Sequence, residues 1–150
     1  MKRSLLFLLI GIGLLAWGAG QLYAGRAAAE PQAARTCDEV PATIVGTAGD
    51  DVLTGSNGPD VIVGGDGSDT INGGGGNDLI CGGHGADVLN GGGGNDTLMG
   101  EDGDDTVIGG GGSDQLMGND GTDSCDGAQN GDTAFSSDCE TLRNVENVVK

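Results

Sequence analysis

From Gly46 to Asp126 the chain, cut every nine residues, reads GTAGDDVLT, GSNGPDVIV, GGDGSDTIN, GGGGNDLIC, GGHGADVLN, GGGGNDTLM, GEDGDDTVI, GGGGSDQLM and GNDGTDSCD, with no insertion. The first and fourth places are Gly in all nine blocks. The sixth place is always Asp: Asp51, Asp60, Asp69, Asp78, Asp87, Asp96, Asp105, Asp114 and Asp123. The eighth place is Leu, Ile or Val in eight blocks and Cys125 in the last. A tenth block, Gly127 to Phe135, keeps fragments of the pattern, among them Asp132. A fixed short period of this kind is the mark of a solenoid.

Each block has two parts. The first six residues are polar and glycine-rich, which calls for positive φ or a close approach of backbone. The last three, such as Val61-Ile62-Val63, are apolar and suited to a strand. Each block therefore predicts a tight turn and a three-residue strand. Side chains alternate in direction along a strand. The eighth-place residues Leu53, Ile62, Ile71, Ile80, Leu89, Leu98, Val107 and Leu116 then point to one face and stack as a thin core. Two blocks make one flattened coil, and nine make a rod of roughly 20 Å at strand spacing.

Composition agrees with a repetitive rod and excludes a conventional globule. Of 150 residues 33 are Gly, and the aromatics are Phe7, Trp17, Tyr23 and Phe135 alone. There are 23 acidic and six basic residues, for a net charge of −17. Such a polyanion repels nucleic acid and anionic lipid, which are bound through clustered Lys and Arg. It attracts cations. Stacked coils place Asp51, Asp69, Asp87, Asp105 and Asp123 in one file and Asp60, Asp78, Asp96 and Asp114 in another. At strand spacing these files repel unless a cation lies between successive members.

The first residues read as an address. Lys2 and Arg3 precede an uncharged apolar run from Leu5 to Ala19, and Ala27-Ala28-Ala29 follows. That is the order of a secretory signal peptide, cut after Ala29 or, alternatively, after Ala24. A retained membrane anchor is the competing reading; the run is short for a bilayer span and contains Gly11, Gly13 and Gly18. A cut after Ala29 removes Lys2, Arg3 and Arg26, leaving three basic residues against 23 acidic ones, or −20. The expected organisation is a signal peptide over 1–29, an N-terminal cap over 30–45, the repeats over 46–126 and a C-terminal cap over 127–150.

The blocks resemble GGxGxDxUx, the nonapeptide of the repeats-in-toxin (RTX) family. The resemblance implies an all-β fold, a right-handed parallel β-roll, with Ca²⁺ held between neighbouring turns on the same side. It further implies that the sixth-place carboxylates and main-chain carbonyls of the first four places bind the ion. Carried over, the sites are Asp51/Asp69, Asp69/Asp87, Asp87/Asp105 and Asp105/Asp123 on one edge, and Asp60/Asp78, Asp78/Asp96 and Asp96/Asp114 on the other. Up to about seven Ca²⁺ ions would reduce the charge from −20 to about −6. Oxygen donors without a thiolate or imidazole cluster suit Ca²⁺ rather than Zn²⁺ or copper, and Mg²⁺ demands a tighter octahedron. The second place departs from Gly at Thr47, Ser56, Glu101 and Asn119, and Pro59 sits in a turn. These departures weigh most on the terminal sites of Asp51, Asp60 and Asp123. Large toxins of the family carry an uncleaved C-terminal export signal. This chain, with its N-terminal one, is more similar to small secreted calcium-binding proteins made of the repeats alone.

Four cysteines behind a signal peptide suggest disulfides. Pairing Cys37–Cys81 and Cys125–Cys139 would staple a cap to each end of the roll, one of three connectivities open to four cysteines. Solenoids need caps, because their end coils expose core and strand edges. Ala42 to Val45 reads as an N-terminal capping strand, and Leu142 to Val149 as a closing strand or helix.

Catalysis finds no footing in these residues. His84 is the sole histidine and lies at a variable turn place, with no second imidazole to act with. Asp102-Gly103-Asp104-Asp105 and Asn119-Asp120-Gly121 echo a helix-loop-helix Ca²⁺ loop but lack its closing Glu. Asp66, Asp102 and Asp120 stand at the third place, where they could add ligands; the expectation is that they are exposed charge. The expectation is a secreted, extracellular, non-enzymatic calcium-binding protein, monomeric, with no nucleic-acid partner and no stable membrane insertion after signal cleavage. The alternative is a Ca²⁺-rigidified structural or adhesive component of a cell envelope, matrix or biofilm, with a cell-surface or polysaccharide partner.

Overall fold

The fold follows from a computed structural model that describes residues 36–135 and 137–150. The expected signal peptide at 1–29 and the first residues of the N-terminal cap lie outside them. After a two-stranded antiparallel hairpin, β1 (Thr36–Cys37) and β2 (Val40–Pro41), the chain winds between two parallel sheets. One holds β3 (Ile44–Val45), β5 (Val61–Asp66), β7 (Leu79–His84), β9 (Thr97–Asp102), β11 (Gln115–Asp120), β13 (Thr133–Phe135) and β15 (Asn147–Val149). The other holds β4 (Val52–Thr54), β6 (Thr70–Gly75), β8 (Val88–Gly93), β10 (Thr106–Gly111), β12 (Ser124–Gln129) and β14 (Thr141–Arg143). Through the repeats the register steps by eighteen residues, two blocks: Ile62 faces Ile80 and Leu89 faces Val107. The expected all-β parallel roll is borne out, and there is no helix among the described residues.

Three details correct the sequence reading. The strands of the repeat are six residues long instead of three, because each apolar tail runs on through the first three places of the next block, as in Val61–Asp66. The chain stays in the sheet there by taking positive φ at the second place: Gly65 at 123° and Gly83 at 118°, with Glu101 at 78° and Asn119 at 72° accepting a conformation that favours Gly. The stack also continues past Asp126. Thr133 pairs with Gln115, Thr141 with Ser124 and Asn147 with Thr133, so β13, β14 and β15 extend the ladders in place of a separate closing element. Seven strands at about 4.8 Å span about 29 Å, longer than the 20 Å of nine blocks.

The eighth-place residues form the core as expected. Ile62, Ile71, Ile80, Leu89, Leu98, Val107, Leu116 and Cys125 are buried, Ala134 continues the column, and Leu53 at the start is only partly covered. Both disulfides are present, with Cα separations of 5.7 Å for Cys37–Cys81 and 5.9 Å for Cys125–Cys139. Only the second closes an end: Cys139 enters the core beside Cys125. The first does not cap the N-terminal end. Cys81, on β7, holds the ninth place of its block, where the side chain points away from the core, so the bond fastens the hairpin onto the outer face of the seven-stranded sheet. There Cys37 is buried with Val63 and Cys81. Ala42, Leu79 and Met99 pack around them.

Candidate functional site

Each turn between strands ends on a sixth-place Asp that lies just before the next strand. Because β-ladders hold successive coils in register, the Asp residues of one edge stack as the sequence predicts. They do more than repel. In each of these Asp residues from Asp69 onward, one carboxylate oxygen, Oδ1, accepts the main-chain N–H of the equivalent Asp one coil earlier. Asp51, Asp69, Asp87 and Asp105 donate in this way to Asp69, Asp87, Asp105 and Asp123 at 2.7–2.8 Å. On the other edge Asp60, Asp78, Asp96 and Asp114 donate to Asp78, Asp96, Asp114 and Asp132 at 2.8–2.9 Å. The fifth places add bonds of the opposite sense, Asn77 Oδ1 accepting from Asn95 N–H and Asp104 Oδ1 from Thr122 N–H.

The second oxygen, Oδ2, is where the chemistry collects. In Asp78, Asp87, Asp96, Asp105, Asp114, Asp123 and Asp132 it is buried and has no hydrogen-bond partner. It lies beside the first-place Gly of its own block and, at Asp78, Asp87, Asp96 and Asp105, beside a carbonyl of the next coil: a Cβ on Gly82 would collide with Asp87 Oδ2 and the Gly100 carbonyl oxygen, and one on Gly91 with Asp96 Oδ2 and the Gly109 carbonyl oxygen. Two acceptors thus converge with no donor between them. A buried anionic oxygen left so is costly. The arrangement fits a hard, oxygen-seeking cation with main-chain carbonyls completing the shell. Among the described residues no three His, Cys, Asp or Glu side chains converge as a ligand group. Carboxylates therefore come singly from each coil, a donor set unlike that of zinc or copper.

Burial governs the protonation of these groups. It pushes Asp78, Asp87, Asp96, Asp114, Asp123 and Asp132 above the ordinary carboxylate range, opposed by the N–H bond each receives and assisted by the neighbouring carboxylate. In Asp105, near the middle, the same causes raise it to about 6.

Asp51 and Asp60 differ. They are only half-buried, and their Oδ2 atoms are already bonded. Thr47 gives Asp51 its N–H at 2.6 Å and its hydroxyl at 2.8 Å; Ser56 gives Asp60 the same pair at 2.7 and 2.8 Å. These bonds hold both carboxyls below the ordinary range. The departures from Gly at the second place thus supply donors at the first coil, where the central coils supply none.

The structure adds Asp132 to the file, fully buried and in register with Asp114. Its signal was legible in the phase of Gly127 and Asp132, five apart as in every earlier block. His84, at the third place of its block and the end of β7, is exposed, its Nδ1 2.7 Å from Asp102 Oδ2 on β9. Ladder register brings this pair together, with Asp66 the partner of His84 on the other side. No helix of the described residues is long and apolar enough to cross a membrane.

A family model of the RTX calcium-binding nonapeptide repeat, in four copies, matches residues 45–80, 54–89, 63–98, 82–116 and 99–134. No curated protein matches the chain.

Proposed function

The chain belongs to the family of RTX calcium-binding nonapeptide repeats, and on that premise we propose that it is a secreted, non-enzymatic calcium binder whose repeats fold around Ca²⁺ outside the cell. The observation that carries the reading is the pairing, at Asp78, Asp87, Asp96 and Asp105, of a buried, donorless carboxylate oxygen with a carbonyl oxygen of the next coil. The proposed ligands are the sixth-place Asp residues Asp69, Asp78, Asp87, Asp96, Asp105, Asp114 and Asp123, joined by Asp132, with first-place carbonyls beside them. Asp51 and Asp60 belong to the same files, but Thr47 and Ser56 already occupy their oxygens, so they are proposed as the weakest ligands.

Bound Ca²⁺ supplies the positive charge that the two carboxylate files lack. The Asp residues bring their charge to the coil boundary, and the first-place Gly residues leave room for it by having no side chain. The N–H bonds to Oδ1 orient each carboxylate so that Oδ2 faces inward. Ordering the site and ordering the roll are then one event, and binding free energy becomes folding free energy. Sites of the affinity usual for extracellular modules, about 10⁻⁴–10⁻³ M, would stay empty in the cytosol and fill outside. Two disulfides suit the same oxidising setting.

Equilibrium dialysis of the full chain against millimolar CaCl₂ tests the reading. Several bound ions per chain are expected, up to about seven from the Asp pairs of the nine blocks. A chain that retains none contradicts it.

A further inference from the structure

The segment 137–149 carries no nonapeptide, and the family match ends at residue 134. Its structure nevertheless repeats the geometry of the coils before it. In every repeat the sixth-place Asp immediately precedes its strand, as Asp105 precedes Thr106. Counted back from the strand in the same way, the equivalent residues here are Glu140, before β14 at Thr141, and Glu146, before β15 at Asn147. Both carboxylates do what the Asp carboxylates do. Glu140 Oε2 accepts the N–H of Asp123 at 2.5 Å, and Glu146 Oε2 accepts that of Asp132 at 2.9 Å.

The carbonyl half of the cradle is reproduced as well. A Cβ on Gly118 would collide with Asp123 Oδ2 and the Asp138 carbonyl oxygen, and one on Gly127 with Asp132 Oδ2 and the Asn144 carbonyl oxygen. Asp138 and Asn144 thus stand where central coils place the next first-place Gly. Asp123 and Asp132 are at most 1 % exposed, and their Oδ2 atoms have no hydrogen-bond partner. Glu140 and Asp138 add like charge beside Asp123, and Glu146 beside Asp132. Among the described residues neither Arg143 nor Lys150 forms an ion pair with these groups.

We propose that this non-repeat segment supplies two further calcium sites, one between Asp123 and Glu140 lined by the Asp138 carbonyl, the other between Asp132 and Glu146 lined by the Asn144 carbonyl. The proposal rests on the reading of the roll as a calcium binder and extends it beyond the repeats. The segment is then a ligand donor as well as a disulfide-fastened plug. Glu stands in place of Asp where the coils are shorter, since β13 and β14 have three residues each against six in the repeat strands. Strand β14 begins eighteen residues after Asp123 and β15 fifteen after Asp132, against nineteen between Asp51 and Thr70, and the longer side chain makes up the reach.

The test is a Ca²⁺ titration of the full chain by calorimetry, with bound ions counted by equilibrium dialysis, for the wild type, for Glu140→Gln with Glu146→Gln, and for Asp87→Asn. Gln keeps a carbonyl oxygen to accept the Asp N–H while removing the charge and replacing the second oxygen, the one a cation would use, by an amide NH₂. The double variant should bind two fewer ions, or bind two of them about tenfold or more weakly, with the β circular-dichroism signal intact at saturating Ca²⁺. Unchanged stoichiometry and affinity in the double variant, with Asp87→Asn impaired, overturns the inference and leaves the repeat sites standing. A wild type that binds no Ca²⁺ overturns both. If the double variant does not fold, anomalous diffraction from wild-type crystals grown in CaCl₂ decides: ions beside Glu140 and Glu146 support the proposal, and ions along the roll with none at this end refute it.

Discussion

Asp87 Oδ1 accepts the main-chain N–H of Asp69, eighteen residues earlier, at 2.7 Å. The bond makes each carboxylate a structural link between coils and fixes which of its oxygens is left over. It also separates two roles that the sequence presents as one: Oδ1 joins the coils, and Oδ2 is the half available to a cation.

Central and terminal carboxylates should therefore respond differently to loss of charge. Asp96→Asn should raise the Ca²⁺ concentration needed for half-maximal folding by about tenfold, since Asp96 faces equivalent carboxylates on both sides. Asp51→Asn, where Thr47 already serves Oδ2, should shift it by less than about threefold. Circular dichroism titrations of the two variants check the order; equal shifts would contradict it.

The buried carboxylates also set a pH dependence that reverses with calcium. Folding raises the pKa of the central Asp residues, to about 6 for Asp105 against 3.8 in its absence. The metal-free roll then binds more protons than the coil, so its stability is greatest below about pH 4 and falls as pH rises toward 6. The lowered Asp51 and Asp60 act in the opposite sense but are few. In chelator, acidification from pH 7 to 4 should increase the β signal. In limiting Ca²⁺ the same change should decrease it, because protons compete for the ligands. Circular dichroism across that range in both buffers measures it, and a metal-free chain that loses β structure on acidification would contradict the assignment of buried, uncompensated carboxylates.

Glycines of one repeat are not equivalent. Gly91→Ala should destabilise the Ca²⁺-bound roll by about 2–4 kcal/mol, because its Cβ meets Asp96 Oδ2 and the Gly109 carbonyl. Gly93→Ala, two residues on, meets nothing within 4 Å and takes no positive φ, so its effect should stay within about 1 kcal/mol. Urea midpoints at saturating Ca²⁺ distinguish the two.

The disulfides should separate in the same assay. Cys37→Ser with Cys81→Ser releases a surface hairpin and should leave Ca²⁺-induced folding in place at a cost of about 2–3 kcal/mol. Cys125→Ser with Cys139→Ser places two hydroxyls in the core and opens its end, and should cost more. Urea midpoints in a larger loss for the first pair would contradict the placement of the hairpin on the sheet face.

Much of this was legible because period and chemistry coincide. The phase of Asp51 through Asp123 fixed the two files, and the eighth places from Leu53 to Leu116 fixed the core. Strand length was not legible, since a run such as Gly73-Gly74-Gly75 reads as turn by composition; ladder pairing with Gly91-Gly92-Gly93 on the adjacent coil holds it in the sheet. The site of Cys37 was illegible for a related reason: Cys81 at a ninth place belongs to the outer face, and only the folded sheet shows that the hairpin lies there. Glu140 and Glu146 were hidden by loops that break the nine-residue count. Their equivalence appears only when residues are counted from the strands.

The most direct test of the central claim is far-ultraviolet circular dichroism of the full chain, taken from excess chelator into millimolar CaCl₂. A coil spectrum should convert cooperatively to β as Ca²⁺ fills the carboxylate files. A β spectrum already complete in chelator at neutral pH, and unchanged by CaCl₂, would contradict it.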